Sequence, residues 1–469
     1  MSNTYKNNPT NAEGSIWRNY QTRLKRDAAR ERIYKTTIKY AILFILFLPL
    51  GYAFIKGPGK VAYHRIHAIR NTLSEGINLA LASHAEKQTH SKPPISKEEV
   101  QAFLDSQSFL NLKEESFDYD HGGRTLRIDT YIDPSLQHFM LDKLDRENSR
   151  YIGIVAMDPS TGRVLSMVGF NKINPSNNPC LSNKFPAASI FKIVTAAAAI
   201  EECGFNSETV LTYNGNKYTL YKSQLKERKN RYTRRITLRQ SFAESINPVF
   251  GKIGAHYLKK SDLEKYAVSF GFNRNIDFEI PVPPSVLTLT DKPYHQAEIA
   301  SGFNRKTILS PLHGALMIAA ILNSGQMIEP TVVDQITDKK GHTIYRSRIT
   351  PLQQACSQNS TRVLKELMHE TIRSGTCKKA FQDHRSDPIL SRLYIGGKSG
   401  SISNKARDAR FDWFVGFAEE KDGPVKVAIS VVVAHEKYIG IRANRYAHMM
   451  IKRYFSNYSV KIQPQLNKT

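Results

Sequence analysis

An uncharged apolar run near the N-terminus constrains this chain most, because it separates a basic tail from the bulk of the sequence. The run YAILFILFLPLGYAFI occupies residues 40–55 and contains no Asp, Glu, Lys or Arg. As a helix it rises about 24 Å, slightly less than a hydrocarbon core of about 30 Å. Residues 1–39 are basic, so the positive-inside rule places them in the cytoplasm. We predict a cytoplasmic tail over 1–39, a single transmembrane anchor over 40–56 in the cytoplasmic (inner) membrane, and an extracytoplasmic, periplasmic remainder.

A cleaved signal peptide and a buried core helix are the alternatives for this run. A leader of nearly forty residues is too long for an ordinary signal peptide, and the run lacks a clear small-x-small cleavage site. Core helices seldom contain so long an uninterrupted apolar stretch. The sequence therefore favours an uncleaved anchor over both alternatives.

The formal net charge of +25 suits contact with an anionic partner, either an acidic polymer or lipid headgroups, and a solvated basic surface is the alternative. Nucleic acid is not expected, since the sequence shows no zinc-finger spacing, Gly-rich phosphate loop or helix-turn-helix pattern. The four cysteines form no Cys-x-x-Cys pair, which argues against a zinc or redox site. Free thiols are the simplest expectation for them, although disulfides outside the cytoplasm stay open.

Hydrophobic periodicity divides the remainder into a helical linker or small N-terminal region over 57–123 and a large domain over 124–460. In the domain, RTLRIDTYID alternates as a strand and is followed by a helix from Pro134. A hairpin is predicted at 151–168. The other predicted helices span 189–203, 237–258, 261–270, 311–323, 360–373 and 440–455, and the late strands are YIGGKSGSIS, FDWFVGFA and VKVAISVVVAH. Strands at both ends of the domain with helices between them predict an α+β fold.

A serine–lysine pair at the start of a predicted apolar helix is the first candidate for chemistry. Ser189 and Lys192 are three residues apart, so they share one helix face. A lysine buried there loses its proton more readily, and its neutral amine can activate the serine. The same pattern recurs at Ser223 and Lys226, but within a polar stretch. An ordinary helix N-cap is the structural alternative for Ser189.

Two further motifs follow along the chain. Ser245 and Asn247 in AESINPVF offer a hydroxyl for proton transfer and an amide for a peptide backbone, although turn chemistry before a proline explains them equally well. The run GGKSGSIS contains Lys398, Ser399, Gly400 and Ser401. Glycines in a strand let a ligand approach closely, and the lysine and hydroxyls suit a carboxylate.

Each motif is weak alone, but their order and contexts together resemble the penicillin-binding transpeptidase family across residues 124–455. The segments DTYIDPSLQ, IVAMDPSTGRVLSMV, SPLHGALMIAAILNSGQMIEP and FDWFVGFA resemble other parts of that family. The resemblance implies a helical cluster on a five-stranded antiparallel sheet, with the active site between them. It also implies a monofunctional (class B-like) peptidoglycan D,D-transpeptidase that binds penicillin.

The resemblance also assigns roles to the motif residues. It implies that Ser189 is the acylated nucleophile with Lys192 as its base, and that Ser245 and Asn247 move protons and hold the substrate. Lys398, Ser399, Gly400 and Ser401 form the strand that receives the substrate carboxylate. The backbone N–H groups of Ser189 and Ser401 would form an oxyanion hole. No cofactor or metal is implied.

Three related activities share these residues and stay open: a D,D-carboxypeptidase, a β-lactamase and a non-hydrolysing β-lactam sensor. The expected ligands are peptidoglycan stem peptides and β-lactams, with the cytoplasmic membrane and cell-wall synthesis proteins as further partners. The chain departs from the family in two respects. Its strand motif reads Lys-Ser-Gly-Ser, where threonine is commoner at both hydroxyl positions. The region 57–123 is also too short for a glycosyltransferase domain or a large pedestal.

Overall fold

The computed structural model describes residues 95–466 except 106, 107 and 228, with side chains to residue 457. The chain divides into two units, 1–90 and 91–469, and the described residues belong to the second. The predicted tail, the anchor over 40–56 and most of the linker therefore lie outside the described residues. Within the described part, no helix has both the length and the apolar character that crossing a membrane requires.

Strands and helices occur along the whole described part of the chain. The strands are β1 (Ser116–His121), β2 (Arg124–Thr130), β3 (Ser149–Met157), β4 (Val164–Asn171), β5 (Phe185–Pro186), β6 (Val210–Tyr213), β7 (Arg234–Thr237), β8 (Ile308–Leu309), β9 (Gln326–Ile328), β10 (Val333–Thr337), β11 (Thr343–Arg346), β12 (Pro351–Gln354), β13 (Leu393–Ser403), β14 (Arg410–Glu420) and β15 (Lys426–His435). The α-helices are α1 (Lys97–Phe103), α2 (Pro134–Asp142), α3 (Lys192–Cys203), α4 (Lys222–Leu225), α5 (Leu238–Ala243), α6 (Asn247–Lys252), α7 (Lys260–Ser269), α8 (Pro293–Ala300), α9 (Pro311–Leu322), α10 (Gln358–Arg373) and α11 (Ala443–Leu466). Short 3₁₀ turns cover Ala188–Phe191 and Leu390–Arg392, and a π-helical turn covers Ile253–Tyr257.

The main sheet contains five antiparallel strands in the order β13-β14-β15-β3-β4. Strand β15 is apolar over most of its length and almost wholly buried, because helices cover both faces of the sheet. Helix α9, all of whose residues are buried, packs on one face, and α2 and α11 pack on the other. This confirms the predicted α+β class, the five-stranded sheet and the hairpin of β3 and β4.

A smaller antiparallel sheet has the order β1-β2-β10-β11. The predicted strand RTLRIDTYID supplies β2, which pairs with β10 some two hundred residues later in the chain. Helix α1 precedes this sheet and is capped by Ser96. The Ser96 side chain accepts a hydrogen bond from the N–H of Glu99, and the Glu99 carboxylate accepts one from the N–H of Ser96. The four cysteines are free thiols in the structure.

The predicted helix over 237–258 is wrong in one respect, because it is broken before Asn247. Helix α5 ends at Ala243, and Ser245 adopts a left-handed backbone conformation with a φ of 57°. Helix α6 then begins at Asn247, with Pro248 in its first turn. Proline in a first turn has no N–H to leave unsatisfied, so it favours a new helix start over continuation of the preceding helix. The break turns the Ser245 side chain toward the main sheet.

Candidate active site

Ser189 lies in the 3₁₀ turn that leads into helix α3. The residue before it, Ala188, has a φ of 49°, a left-handed conformation that is unfavourable for a residue with a Cβ. Backbone strain of this kind persists only where the surrounding structure fixes it. Here Gly302 packs directly against the Ala188 carbonyl oxygen. The turn therefore holds Ser189 in one defined position.

Gly302→Ala is expected to lower the free energy of unfolding by about 3 kcal/mol. A Cβ at this position lies 1.9 Å from the Ala188 carbonyl oxygen, and Gly302 itself has a φ of 67°. Gly204→Ala is the matched control: its φ is 64°, but a Cβ there meets nothing within 4 Å. The control is expected to lose about 1 kcal/mol, from backbone conformation alone. Urea unfolding measures both, and equal losses would contradict the steric argument.

The Lys192 amino group lies beneath the serine. Its Nζ is 2.7 Å from Oγ of Ser189, 2.8 Å from Oδ1 of Asn247 and 2.5 Å from the carbonyl oxygen of Ser301. The side chain is fully buried. Burial lowers the pKa of Lys192 well below its usual range, and the nearby charge of Lys398 lowers it further. A neutral amine in contact with a serine hydroxyl is a general base for that hydroxyl.

Ser245, Asn247 and Lys398 join the same network. Oγ of Ser245 lies 2.9 Å from Nζ of Lys398, which also donates to the Ser399 carbonyl oxygen at 2.8 Å. The Asn247 amide donates to the carbonyl oxygen of Tyr218 at 2.9 Å, so both ends of that amide are fixed. Burial lowers the pKa of Lys398 to about 7. Two lysines, both buried, thus flank two serines.

Strand β13 is an edge strand of the main sheet and passes directly beside Ser189. A Cβ placed on Gly400 would lie 3.2 Å from the backbone nitrogen of Ser189, so a side chain at Gly400 would crowd Ser189. The Ser399 hydroxyl lies 2.5 Å from Oγ1 of Thr376. The Ser401 hydroxyl accepts from Nε of Arg410 at 2.7 Å. The strand thereby presents two hydroxyls and an exposed backbone edge to a ligand.

A cleft of about 670 Å³ opens over these groups, and Ser189, Ser245, Asn247, Ser399, Gly400 and Ser401 line it. The structure thus brings together the eight predicted residues, with Lys192 and Lys398 buried beneath the cleft. The second serine–lysine pattern lies elsewhere, because Ser223 is on helix α4 and does not line the cleft. Ser357 and Asn359 have the same spacing as Ser245 and Asn247, but Ser357 caps helix α10 and does not line the cleft.

Several cleft residues were not predicted. The lining also includes Tyr218, Gly302, Phe303, Arg305, Thr376, Arg407, Arg410, Asp412, Arg442 and Asn444. They come mostly from loops and strand ends that carry no motif, although Arg410 directly precedes the recognised FDWFVGFA segment. Among the residues that the structure describes, no cluster of three or more His, Cys, Asp or Glu side chains is arranged to hold a metal ion.

Known proteins resemble this chain in sequence and in fold. The sequence profile of the Penicillin binding protein transpeptidase domain matches residues 152–452. Peptidoglycan D,D-transpeptidase PbpA of Mycolicibacterium smegmatis is 25% identical over 351 residues, which are 65% of this chain and 67% of that protein. The peptidoglycan D,D-transpeptidase FtsI homolog of Mesostigma viride is 23% identical over 73% of this chain, and the match spans 61% of that protein.

Two solved structures share the fold. The D,D-transpeptidase domain of a peptidoglycan glycosyltransferase from Eggerthella lenta superposes with a TM-score of 0.59 at 23% identity, covering 71% of this chain and 84% of that chain. The imipenem acyl-enzyme of penicillin-binding protein A from M. tuberculosis gives 0.57 at 20% identity, covering 70% and 79%. Because the profile covers more than half of the sequence, the chain belongs to the penicillin-binding protein transpeptidase family.

Proposed function

We propose that this chain is a serine D,D-transpeptidase that crosslinks peptidoglycan stem peptides through an acyl-enzyme at Ser189. The observation that carries the proposal is the contact of the Ser189 hydroxyl with a buried lysine, at the edge of a strand that offers hydroxyls and a second lysine. Relatives named as peptidoglycan D,D-transpeptidases support it, as does the acyl-enzyme recorded for the M. tuberculosis protein.

Acylation follows from the network of hydrogen bonds. The neutral Lys192 amine takes the Ser189 proton while Oγ attacks the carbonyl carbon of the penultimate D-alanine. Backbone N–H groups of Ser189 and Ser401 would stabilise the oxyanion. As the peptide bond breaks, a proton reaches the leaving amine through Ser245, which Lys398 contacts. The products are an ester on Ser189 and free D-alanine.

Substrate carboxylate recognition falls to Lys398, Ser399 and Ser401. The lysine supplies positive charge and the two hydroxyls supply hydrogen bonds, and charge-assisted hydrogen bonds are the stronger kind. Thr376 and Arg410 already hold the two hydroxyls in place. The terminal D-alanine would therefore be held beside Thr376 before it leaves.

The ester then reacts with an amine of a second stem peptide in preference to water. Hydrolysis would need a base to activate water, and Asp412 supplies the one carboxylate among the described residues that line the cleft. Its Oδ2 already accepts a hydrogen bond from the backbone N–H of Ala443 at 3.0 Å. It lies on β14 opposite Ser401, with a guanidinium nitrogen of Arg442 4.0 Å from its Oδ1, so a backbone donor and a cation already engage it. This arrangement favours a transpeptidase over the hydrolytic alternatives, and it lets β-lactams remain bound to Ser189.

The location of the enzyme is part of the proposal. The charge-free run over 40–56 would anchor the chain in the cytoplasmic membrane, with the tail over 1–39 inside and the catalytic domain over 124–460 outside. Peptidoglycan lies outside that membrane, so the substrate supports the orientation. Cell-wall synthesis proteins are further expected partners.

The decisive experiment mixes the full-length chain with benzylpenicillin and follows its intact mass over hours. One persistent adduct per chain is expected, and peptide mapping should place it on the segment that contains Ser189. A transient adduct with hydrolysed drug would indicate a β-lactamase instead. An adduct on the peptide with Ser223, or none at all, would overturn the assignment.

Acylation by benzylpenicillin is expected to slow as the pH rises through about 7. Above this pH, Lys398 of the enzyme without bound drug loses the positive charge that attracts the drug's carboxylate. The second-order rate constant for acylation should therefore fall up to tenfold per pH unit. The measurement is the acylation rate between pH 5.5 and 9.5, with the unfolding midpoint followed in parallel. The Lys398→Arg variant keeps its positive charge, so its acylation rate should not fall over this pH range. A rate that stays level from pH 6 to 9 would contradict the prediction.

A further inference from the structure

A second hollow of about 900 Å³ opens beside the cleft. We name it the lateral groove; its described lining includes Thr376, Lys379, Gln382, Ile439, Arg442 and Arg445. Thr376, Arg442 and Asn444 line both the cleft and the lateral groove, so the two are continuous. The place where they meet is next to the carboxylate site, because Thr376 contacts the Ser399 hydroxyl.

We propose that the lateral groove binds the acceptor strand, the second stem peptide whose amine attacks the acyl-enzyme. This inference rests on the proposed function and adds a binding site to it. When the amine nitrogen bonds to the acyl carbon, the bond from that carbon to Oγ of Ser189 breaks. The amine gives up one proton, and Ser189 regains one. The attacking nitrogen thus takes the position that the nitrogen of D-alanine has just left.

The acceptor must therefore arrive from the leaving-group side of the site. That side is marked by Ser399 and Thr376, and the lateral groove extends outward from Thr376. The upstream part of the donor peptide would then follow the rest of the cleft, which extends to Ser403 and Arg305. An acceptor in the lateral groove thus reaches the ester without displacing the donor.

The charge of the lateral groove indicates what kind of acceptor it fits. Its described lining contains Lys379, Arg442 and Arg445 but no Asp or Glu. One guanidinium nitrogen of Arg445 donates to the Ala380 carbonyl oxygen, which fixes the position of that charge. Lys379 is exposed and makes no ion pair with a described residue. The groove therefore suits an acceptor that carries a carboxylate at a distance from its amine.

Apolar and amide groups complete the surface. Ile439, Ile441 and Met449 line the lateral groove, and Ile439 is 46% exposed. The amide oxygen of Asn444, at the junction with the cleft, accepts no hydrogen bond from the described residues. That oxygen is itself buried, so it is an unsatisfied acceptor at the junction of the two hollows. These features fit a peptide, which brings N–H donors and aliphatic side chains together.

The test measures how the acyl-enzyme divides between transfer and hydrolysis. The full-length chain is acylated with a peptidyl-D-Ala-D-lactate donor and given either Nα-acetyl-lysine or Nα-acetyl-lysinamide. The two acceptors share one amine, and the first alone has a carboxylate. Mass spectrometry quantifies amide and acid products. The native chain should prefer the carboxylate-bearing acceptor about fivefold, the size expected of one exposed charge pair.

Lys379→Glu is expected to abolish or reverse this preference. Lys378→Glu is the matched control, because it makes the same charge change at the neighbouring residue. Lys378 is exposed but does not line the lateral groove, so this variant should keep the preference. Three results would overturn the inference: the native chain shows no preference, the preference survives in Lys379→Glu, or the chain is acylated but transfers the acyl group to neither amine. Failure to acylate at all would instead count against the proposed function.

Discussion

A Ser189→Ala variant is expected to form no covalent adduct with benzylpenicillin, a loss of about ten thousandfold or more in acylation rate. The variant removes the attacking oxygen and leaves the basic lysine in place. Lys192 keeps its contacts with Asn247 and the Ser301 carbonyl oxygen, so the fold should survive with a loss of about 1 kcal/mol in unfolding free energy. Intact mass after overnight incubation, with a urea unfolding curve, measures both effects.

Ser223→Ala is the matched control for this prediction. Ser223 also precedes a lysine by three residues, but it lies on the short helix α4 and does not line the cleft. Its variant should acylate at the native rate. An adduct that persists in Ser189→Ala, or one that is lost in Ser223→Ala, would show that the serine has been misassigned.

The individual strands of the main sheet could be predicted because their signals are local, whereas their assembly into one five-stranded sheet was implied by the family resemblance, since β15 pairs with β3 from the far end of the domain. Strands β13, β14 and β15 follow one another along the chain, each as an apolar or glycine-rich run that ends in polar turn residues. Consecutive antiparallel strands of this kind need only short connections. Helix α9 could be found for the same reason, since its apolar residues are continuous and Ser310 caps it.

The smaller sheet could not be predicted, because its pairing is not local. Strand β2 alternates clearly, but its partner β10 is short, VDQIT, and two hundred residues distant. Nothing in either segment specifies the other, and the pairing forms only when the intervening domain brings them together. The break at Ser245 is a different case: Asn247 before Pro248 already favoured a turn there, although the predicted helix ran through it, and the left-handed φ of Ser245 shows where the turn lies.

The candidate site also has one part that could be predicted and one part that could not. Motifs identify the groups that do chemistry, because serine, lysine and glycine recur at fixed short spacings. The groups that position them carry no such spacing. Thr376 contacts Ser399 and Arg410 contacts Ser401 only because a loop and a neighbouring strand arrive there in the fold. The order of the three motifs along the chain indicated one site, but only the structure supplies the distances between them.

Lys192→Met is expected to slow acylation about a thousandfold while non-covalent affinity for the β-lactam changes only a few-fold. Among the described residues, Lys192 supplies the amine that contacts Oγ of Ser189. Methionine fills similar volume but accepts no proton, and it leaves the Asn247 and Ser301 oxygens without their donor. Stopped-flow kinetics over a range of drug concentrations separates binding from the acylation step.

A buried lysine elsewhere distinguishes catalysis from stability. Lys252 is 4% exposed and pairs with Glu227 at 3.0 Å, so Lys252→Met removes another buried lysine, one that lies outside the cleft. Lys252→Met should lower stability yet acylate normally once folded. Lys192→Arg tests the base itself, because a guanidinium keeps the hydrogen-bond donors but stays protonated at any accessible pH. If Lys192→Arg acylated at the native rate, the serine would not need a neutral amine to remove its proton, and the role of Lys192 would reduce to positioning.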